Sequence, residues 1–219
     1  DLVSDPKNPY PGQIIRNNNS LENLYTDVKV DYKLSLLTPF DLKNILLGIS
    51  SEKLPVVLDT EDHDNVLFLW SGHGAPGSLV WDENKKTITG DFMADLFNEM
   101  YVAGKYRKLF GIIEACYAGS VAAKCKGVPN LLLMTAANDK ETSKAELYAP
   151  LWNTYLSNSF TMAMLEALQD ENFYTMPIRD LYSEAFSKTM GSHVTLYNVE
   201  SFGNVFFNYV FEYFVNSSF

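Results

Sequence analysis

The stretch Asn65-Val66-Leu67-Phe68-Leu69-Trp70-Ser71 is almost wholly apolar and runs directly into Gly72-His73-Gly74. Such a run has no polar face to turn to water. As a strand it must be covered on both sides, the condition of a parallel sheet between two helical layers. The pattern recurs at 109–114 (LFGIIE) and at 131–136 (LLLMTA). Residues 89–102 and 159–168 (SFTMAMLEAL) carry apolar positions at helical spacing. Upstream, Thr38 as N-cap, Pro39 at the first position, Asp41 in the first turn and Gly48 beyond the end mark another helix. Strands alternating with helices predict an α/β fold whose mostly parallel sheet has helices on both faces, with chemistry in the loops at the carboxyl ends of the strands.

A chain of 219 residues suits one domain, read here as spanning 1–219. Hydrophobic residues make up 47% and charged residues 20%, enough for a sizeable core and against disorder. The 27 acidic and 17 basic residues give a formal net charge of -10, which argues against nucleic acid as the natural partner, because a phosphate backbone wants a basic stripe. Neither a signal-peptide pattern nor an apolar run long enough to span a bilayer is read in these residues. Residues 1–33, rich in Asn, Asp and Pro, read as a surface segment. Asn18 and Asn216 open Asn-x-Ser sequons and permit glycosylation.

Two strand ends carry the chemistry. The first is Ser71-Gly72-His73-Gly74-Ala75-Pro76-Gly77 and the second Glu114-Ala115-Cys116-Tyr117-Ala118-Gly119-Ser120. The 116 − 73 = 43 residues between histidine and cysteine are the length of one strand–helix–strand crossover, so adjacent parallel strands bring imidazole and thiol to the same sheet edge. A thiolate is the nucleophile, and an imidazole must take the thiol proton. The N–H groups of Gly74 and Cys116 are placed to stabilise an oxyanion. The remaining candidates read as structural. Cys125 is a small buried hydrophobe. His63 sits in the acidic loop Glu61-Asp62-His63-Asp64 and is solvated, and His193 has no nearby nucleophile. Three histidines and two cysteines at these spacings make no zinc site, and no metal or other cofactor is expected.

An apolar strand ending in His73-Gly74, followed by one ending in Glu114-Ala115-Cys116-x-x-Gly119-Ser120, resembles the legumain (asparaginyl endopeptidase) family of cysteine peptidases, whose relatives include caspases and the catalytic subunit of the GPI transamidase. The resemblance continues into Thr135-Ala136-Ala137-Asn138, Glu141-Thr142-Ser143 and Thr154-Tyr155-Leu156, and begins at Asn8-Pro9-Tyr10-Pro11-Gly12. It implies a caspase-like three-layer sandwich acting on protein or peptide substrates. His73 is then the general base and acid, with Gly74 beside it, and Cys116 forms the acyl-enzyme. Glu114 resembles the family's specificity-pocket glutamate, which meets the side-chain amide of a substrate asparagine. Thr142 and Ser143 fall where the family has a pair of serines on the pocket wall. Asn158 stands where legumains usually carry an aspartate in the pocket floor; it can hydrogen-bond an amide but brings no charge.

Other departures bear on function. Gly72 precedes the histidine where many legumains have aspartate, and there the chain looks like the transamidase subunit, as it does at 28–32 (VKVDY). The family's amino-terminal strand and helix, with its basic pocket residue, have no match in the sequence, and neither does its carboxy-terminal prodomain. An additional segment is therefore expected to complete the sheet beside the His73 strand. Three functions stay open: an endopeptidase cleaving after Asn or Asp, with peptide ligation as a second activity; the catalytic subunit of a GPI transamidase; and an inactive scaffold of the same fold. The family points to the secretory pathway, lysosomal or vacuolar for a legumain and endoplasmic reticulum for a transamidase.

Overall fold

The computed structural model describes residues 6, 8–17, 20–82, 86–150, 153–169, 175–203 and 209–215, and at 16, 17 and 20–22 the backbone only. The sequons at Asn18 and Asn216 lie outside the described residues. Three apolar runs form the parallel strands β3 (Asn65–Ser71), β7 (Lys108–Glu114) and β8 (Leu131–Thr135). β11 (Thr195–Tyr197) adds to β8 antiparallel, giving the order β11-β8-β7-β3. The sheet is thus mostly parallel, and the antiparallel edge strand is too short to have stood out in the sequence.

Alternate side chains of the central strands enter two cores. Leu109 and Ile113 of β7 join Leu131 and Leu133 of β8 on one face, under α1 (Pro39–Leu46), α2 (Gly90–Val102) and α3 (Ala118–Ala122). Phe110 and Ile112 join Leu132 and Met134 on the other, under α4 (Ser159–Ala167) and α5 (Ile178–Lys188). Leu109, Phe110, Ile113 and Leu131 to Met134 are fully buried. Each such side chain contributes about 1.5–3 kcal/mol, so the β7–β8 pair is the best-anchored part of the molecule. This is the three-layer arrangement expected from the doubly apolar runs.

The helix starts follow the capping signals. Thr38 accepts the Asp41 N–H at 3.2 Å while Asp41 accepts the Thr38 N–H at 2.7 Å, a capping box with Pro39 at the first position. Gly48 follows with φ of 74°. Thr89 caps α2 by accepting the Phe92 N–H at 3.2 Å. The surface segment 1–33 contains a small hairpin, β1 (Ile15–Asn17) with β2 (Ser20–Asn23). Two further antiparallel units lie near the carboxyl ends of the main strands. One joins β4 (Gly74–Ala75), β5 (Ser78–Val80) and β6 (Thr87–Thr89); the other pairs β9 (Ala145–Ala149) with β10 (Thr154–Asn158). Their strands are too short, or too mixed in polarity, for periodicity to show.

Candidate active site

Ser71 of β3 pairs in register with Glu114 of β7, and the Gly72 N–H extends the ladder by donating to the Glu114 carbonyl at 3.0 Å. The chain then reaches His73 two residues after Ser71, and Cys116 two residues after Glu114. Equal offsets from a paired register put both side chains at one sheet edge, as the 43-residue spacing predicted.

Past His73 the chain folds back through Pro76-Gly77, a two-residue turn in which Gly77 takes the positive φ of 77° that such turns require at that position. Ala75 faces Ser78 and Gly74 faces Leu79, while the His73 carbonyl accepts the Val80 N–H at 2.9 Å. This alternation makes Gly74 a non-hydrogen-bonded pair, so its N–H turns away from β5. Gly74 also lies against the nucleophile's backbone: a Cβ there would run into the Cys116 carbonyl oxygen. Only glycine permits that approach. After Cys116, Tyr117 adopts left-handed backbone (φ 55°, ψ 21°) and α3 begins at once, so the cysteine stands at the apex of a strand–turn–helix corner.

His73 is exposed and Cys116 half-buried. Among the described residues neither His73 ring nitrogen has a hydrogen-bond partner, and the Cys116 Sγ lies 4.0 Å from the Ser143 carbonyl oxygen. The imidazole is free to turn toward thiol or substrate, and catalytic hydrogen bonds commonly tighten only when substrate binds.

Glu114 is 5% exposed. Ser143 Oγ donates to its Oε1 at 2.7 Å and Thr161 Oγ1 to its Oε2 at 3.3 Å. Burial raises its pKa, and the two hydroxyl bonds offset part of that rise. The structure therefore brings Glu114, Ser143 and Cys116 together. Thr142 is occupied otherwise, its Oγ1 accepting Lys144 Nζ at 2.9 Å. Asn158 ends β10 opposite Ala145 and is the N-cap residue of α4, with no capping bond from its side chain. Thr161, in the first turn of α4, has no sequence signal beyond lying three residues after Asn158.

The other cysteine and histidines divide. Cys125 is buried, its thiol pushed up to about 12 by desolvation, as befits a structural residue. His63 is exposed beside Glu61 and Asp62. His193 bonds Glu141: its Nδ1 lies 2.9 Å from Glu141 Oε2 and its N–H donates to Oε1 at 2.7 Å.

The model of the Peptidase C13 family matches residues 1–212. Among curated proteins, the chain is 28% identical over 175 residues to a protein named GPI-anchor transamidase from Homo sapiens, covering 78% of this chain and 44% of that protein. It is 28% identical over 205 residues to legumain from Mus musculus, covering 92% and 46%. To vacuolar-processing enzyme from Ricinus communis it is 26% identical over 219 residues, covering 92% and 44%. The chain spans about half the length of the curated relatives it matches. With the histidine and cysteine strand ends in register and a match across nearly the whole sequence, the chain belongs to the Peptidase C13 family.

Proposed function

We propose that this chain is the catalytic core of a cysteine endopeptidase that cleaves after asparagine or aspartate through an acyl-enzyme. The observation that carries the reading is the Ser71–Glu114 register, which delivers His73 and Cys116 to one edge with Gly74 against the Cys116 carbonyl. His73 takes the Cys116 thiol proton, and the thiolate attacks the scissile carbonyl carbon. The carbonyl π pair moves onto oxygen, facing the N–H groups of Gly74 and Cys116. As the tetrahedral species collapses, the C–N bond breaks and the histidine proton passes to the leaving amine, leaving a thioester. Water then attacks the thioester carbonyl as His73 takes its proton, the C–S bond breaks, the proton passes to the leaving sulfur, and the acid is released. Glu114, held by Ser143 and Thr161, faces the side-chain amide at the cleaved position, with Thr142 and Ser143 on the pocket wall and Asn158 in its floor.

A second reading rests on the relatives named GPI-anchor transamidase, as similar to this chain as legumain. The same thioester captured by an amine instead of water gives transamidation or peptide ligation. Both readings place the protein in the secretory pathway. Cleavage profiling on a peptide library, with and without an added amine nucleophile, tests them together. Cuts after asparagine that need Cys116 support the endopeptidase. Products formed only with amine support the transamidase. No turnover and no labelling by an asparagine-bearing thiol probe would leave an inactive scaffold.

We further propose that an additional strand and helix complete the sheet beside β3. Among the described residues β3 is an edge strand, and Leu69, on the same face as the partly buried Leu67, is 64% exposed. An uncovered apolar edge beside the reactive pair is a liability that folded proteins seldom leave open. Intact mass of the active material should show polypeptide beyond these 219 residues; full activity from this chain alone would overturn the idea.

A further inference from the structure

The loop between β8 and β9 touches both halves of the candidate site. Its Ser143 carbonyl lies 4.0 Å from the Cys116 Sγ, and its Ser143 hydroxyl holds Glu114 Oε1 at 2.7 Å. What fixes this loop is Glu141, two residues earlier. The Glu141 carbonyl accepts the N–H of Tyr117, the residue after the nucleophile, at 2.8 Å. Its carboxylate accepts the Asn138 N–H at 3.1 Å, closing the loop on itself, and the His193 N–H at 2.7 Å and ring at 2.9 Å, tying it to the segment before β11. Ser192 strengthens the same seam by donating to the Ala136 carbonyl at 2.8 Å. One glutamate thus joins the cysteine corner, the specificity loop and the last strand of the sheet.

We infer that Glu141, with His193 as its partner, is a positioning residue that sets substrate selectivity by holding Ser143 against Glu114 and Cys116. The inference rests on the peptidase reading above but concerns residues that touch no reacting atom. Glu141 is 21% exposed at the side chain and His193 71%, so neither is needed to fill the core. The carboxylate is the shared acceptor of three donors, whereas the ring supplies only one of them. Losing Glu141 should therefore cost more than losing His193, and glutamine, which keeps an acceptor oxygen, should rescue much of the loss.

The test compares Glu141→Ala, Glu141→Gln, His193→Ala and the double alanine variant in the active, full-length preparation. Glu141→Ala should raise KM for an asparagine substrate about tenfold with kcat changed less than about threefold. The preference for asparagine over other residues should fall with it. His193→Ala should show a smaller effect in the same direction, Glu141→Gln should stand near wild type, and the double variant should match Glu141→Ala. Alkylation of Cys116 by iodoacetamide should stay within about twofold of wild type in all four, because the cysteine corner itself is kept. Deuterium uptake over residues 138–144 provides a readout independent of turnover. It should rise in Glu141→Ala and not in Glu141→Gln. An unchanged uptake in Glu141→Ala would overturn the inference whatever the enzyme does, as would a pure kcat loss. Wild-type protein without asparagine-directed activity would instead overturn the peptidase reading, and a raised uptake would then leave the loop clamp standing without its role in selectivity.

Discussion

The Ser120 hydroxyl accepts the Gly77 N–H at 2.7 Å and donates to the Tyr117 carbonyl at 2.6 Å, so a single oxygen fastens the loop after His73 to the corner after Cys116. Among the described residues the His73 and Cys116 side chains share no hydrogen bond, and this hydroxyl is a direct polar link between their loops.

Ser120→Ala should lower kcat about tenfold or more, because the Gly77 N–H loses its partner and the histidine loop loses its tether. An abandoned donor of this kind costs about 1–3 kcal/mol, so the melting temperature should fall as well. Ser120→Thr keeps the hydroxyl and should restore most of kcat. Equal losses in both variants would show that size at this position, and not the bond, is what counts.

Cys116→Ala and His73→Ala should each reduce kcat on the order of 10³-fold or more, with little further loss in the double variant, because residues that act as a unit are strongly non-additive. Neither change removes much buried volume, and the fold should persist by circular dichroism. Cys125→Ala should keep turnover while losing some stability through the cavity it leaves. Activity retained by Cys116→Ala and lost by Cys125→Ala would exchange their roles.

Glu114→Gln should blunt discrimination for asparagine at the cleaved position more than it slows acylation by a small reactive ester. Its carboxyl group accepts two hydroxyl donors, and a neutral amide in its place would present a hydrogen where Ser143, or on the proposed reading the substrate, also presents one. A library profile unchanged from wild type would assign Glu114 a structural role alone.

The same residue should tilt stability with pH. Burial raises its folded pKa above the ordinary glutamate value of 4.5. Below that value the group is protonated in folded and unfolded chains alike, and its contribution is fully present. As pH climbs, the unfolded chain releases the proton first, so the contribution is lost up to the folded pKa. The melting temperature of wild type relative to Glu114→Gln should therefore decline as pH rises above the ordinary glutamate value. A difference that grew over this range would mean that the hydroxyl bonds outweigh burial.

The parts of this architecture visible in the sequence were those set by local chemistry or by burial on two faces. β3, β7 and β8 had to be sheet strands covered by helices because their residues offer no wet side, and their spacing then put His73 and Cys116 at one sheet edge. Thr38, Pro39 and Asp41 announced α1 because capping is read within one turn. β11 did not show, since Thr195 to Tyr197 become a strand only by pairing with Thr135 to Leu133. Glu141 and His193 stand 52 residues apart, and nothing local marks either as the partner of the other. Thr161 was missed for the same reason: it is an ordinary helix residue until α4 is laid across the end of β7.

The two reactive groups also differ in how they are mounted. Cys116 follows an inner strand whose side chains are buried on both faces, whereas His73 follows the strand at the sheet's rim, beside the uncovered Leu69. On the proposed mechanism, a disturbance at the rim would displace the base before it reached the nucleophile, and a damaged molecule would keep a well-presented thiol after turnover had stopped. Titration with a small alkylating reagent would then count folded molecules, and only a reagent that needs the histidine would count working ones.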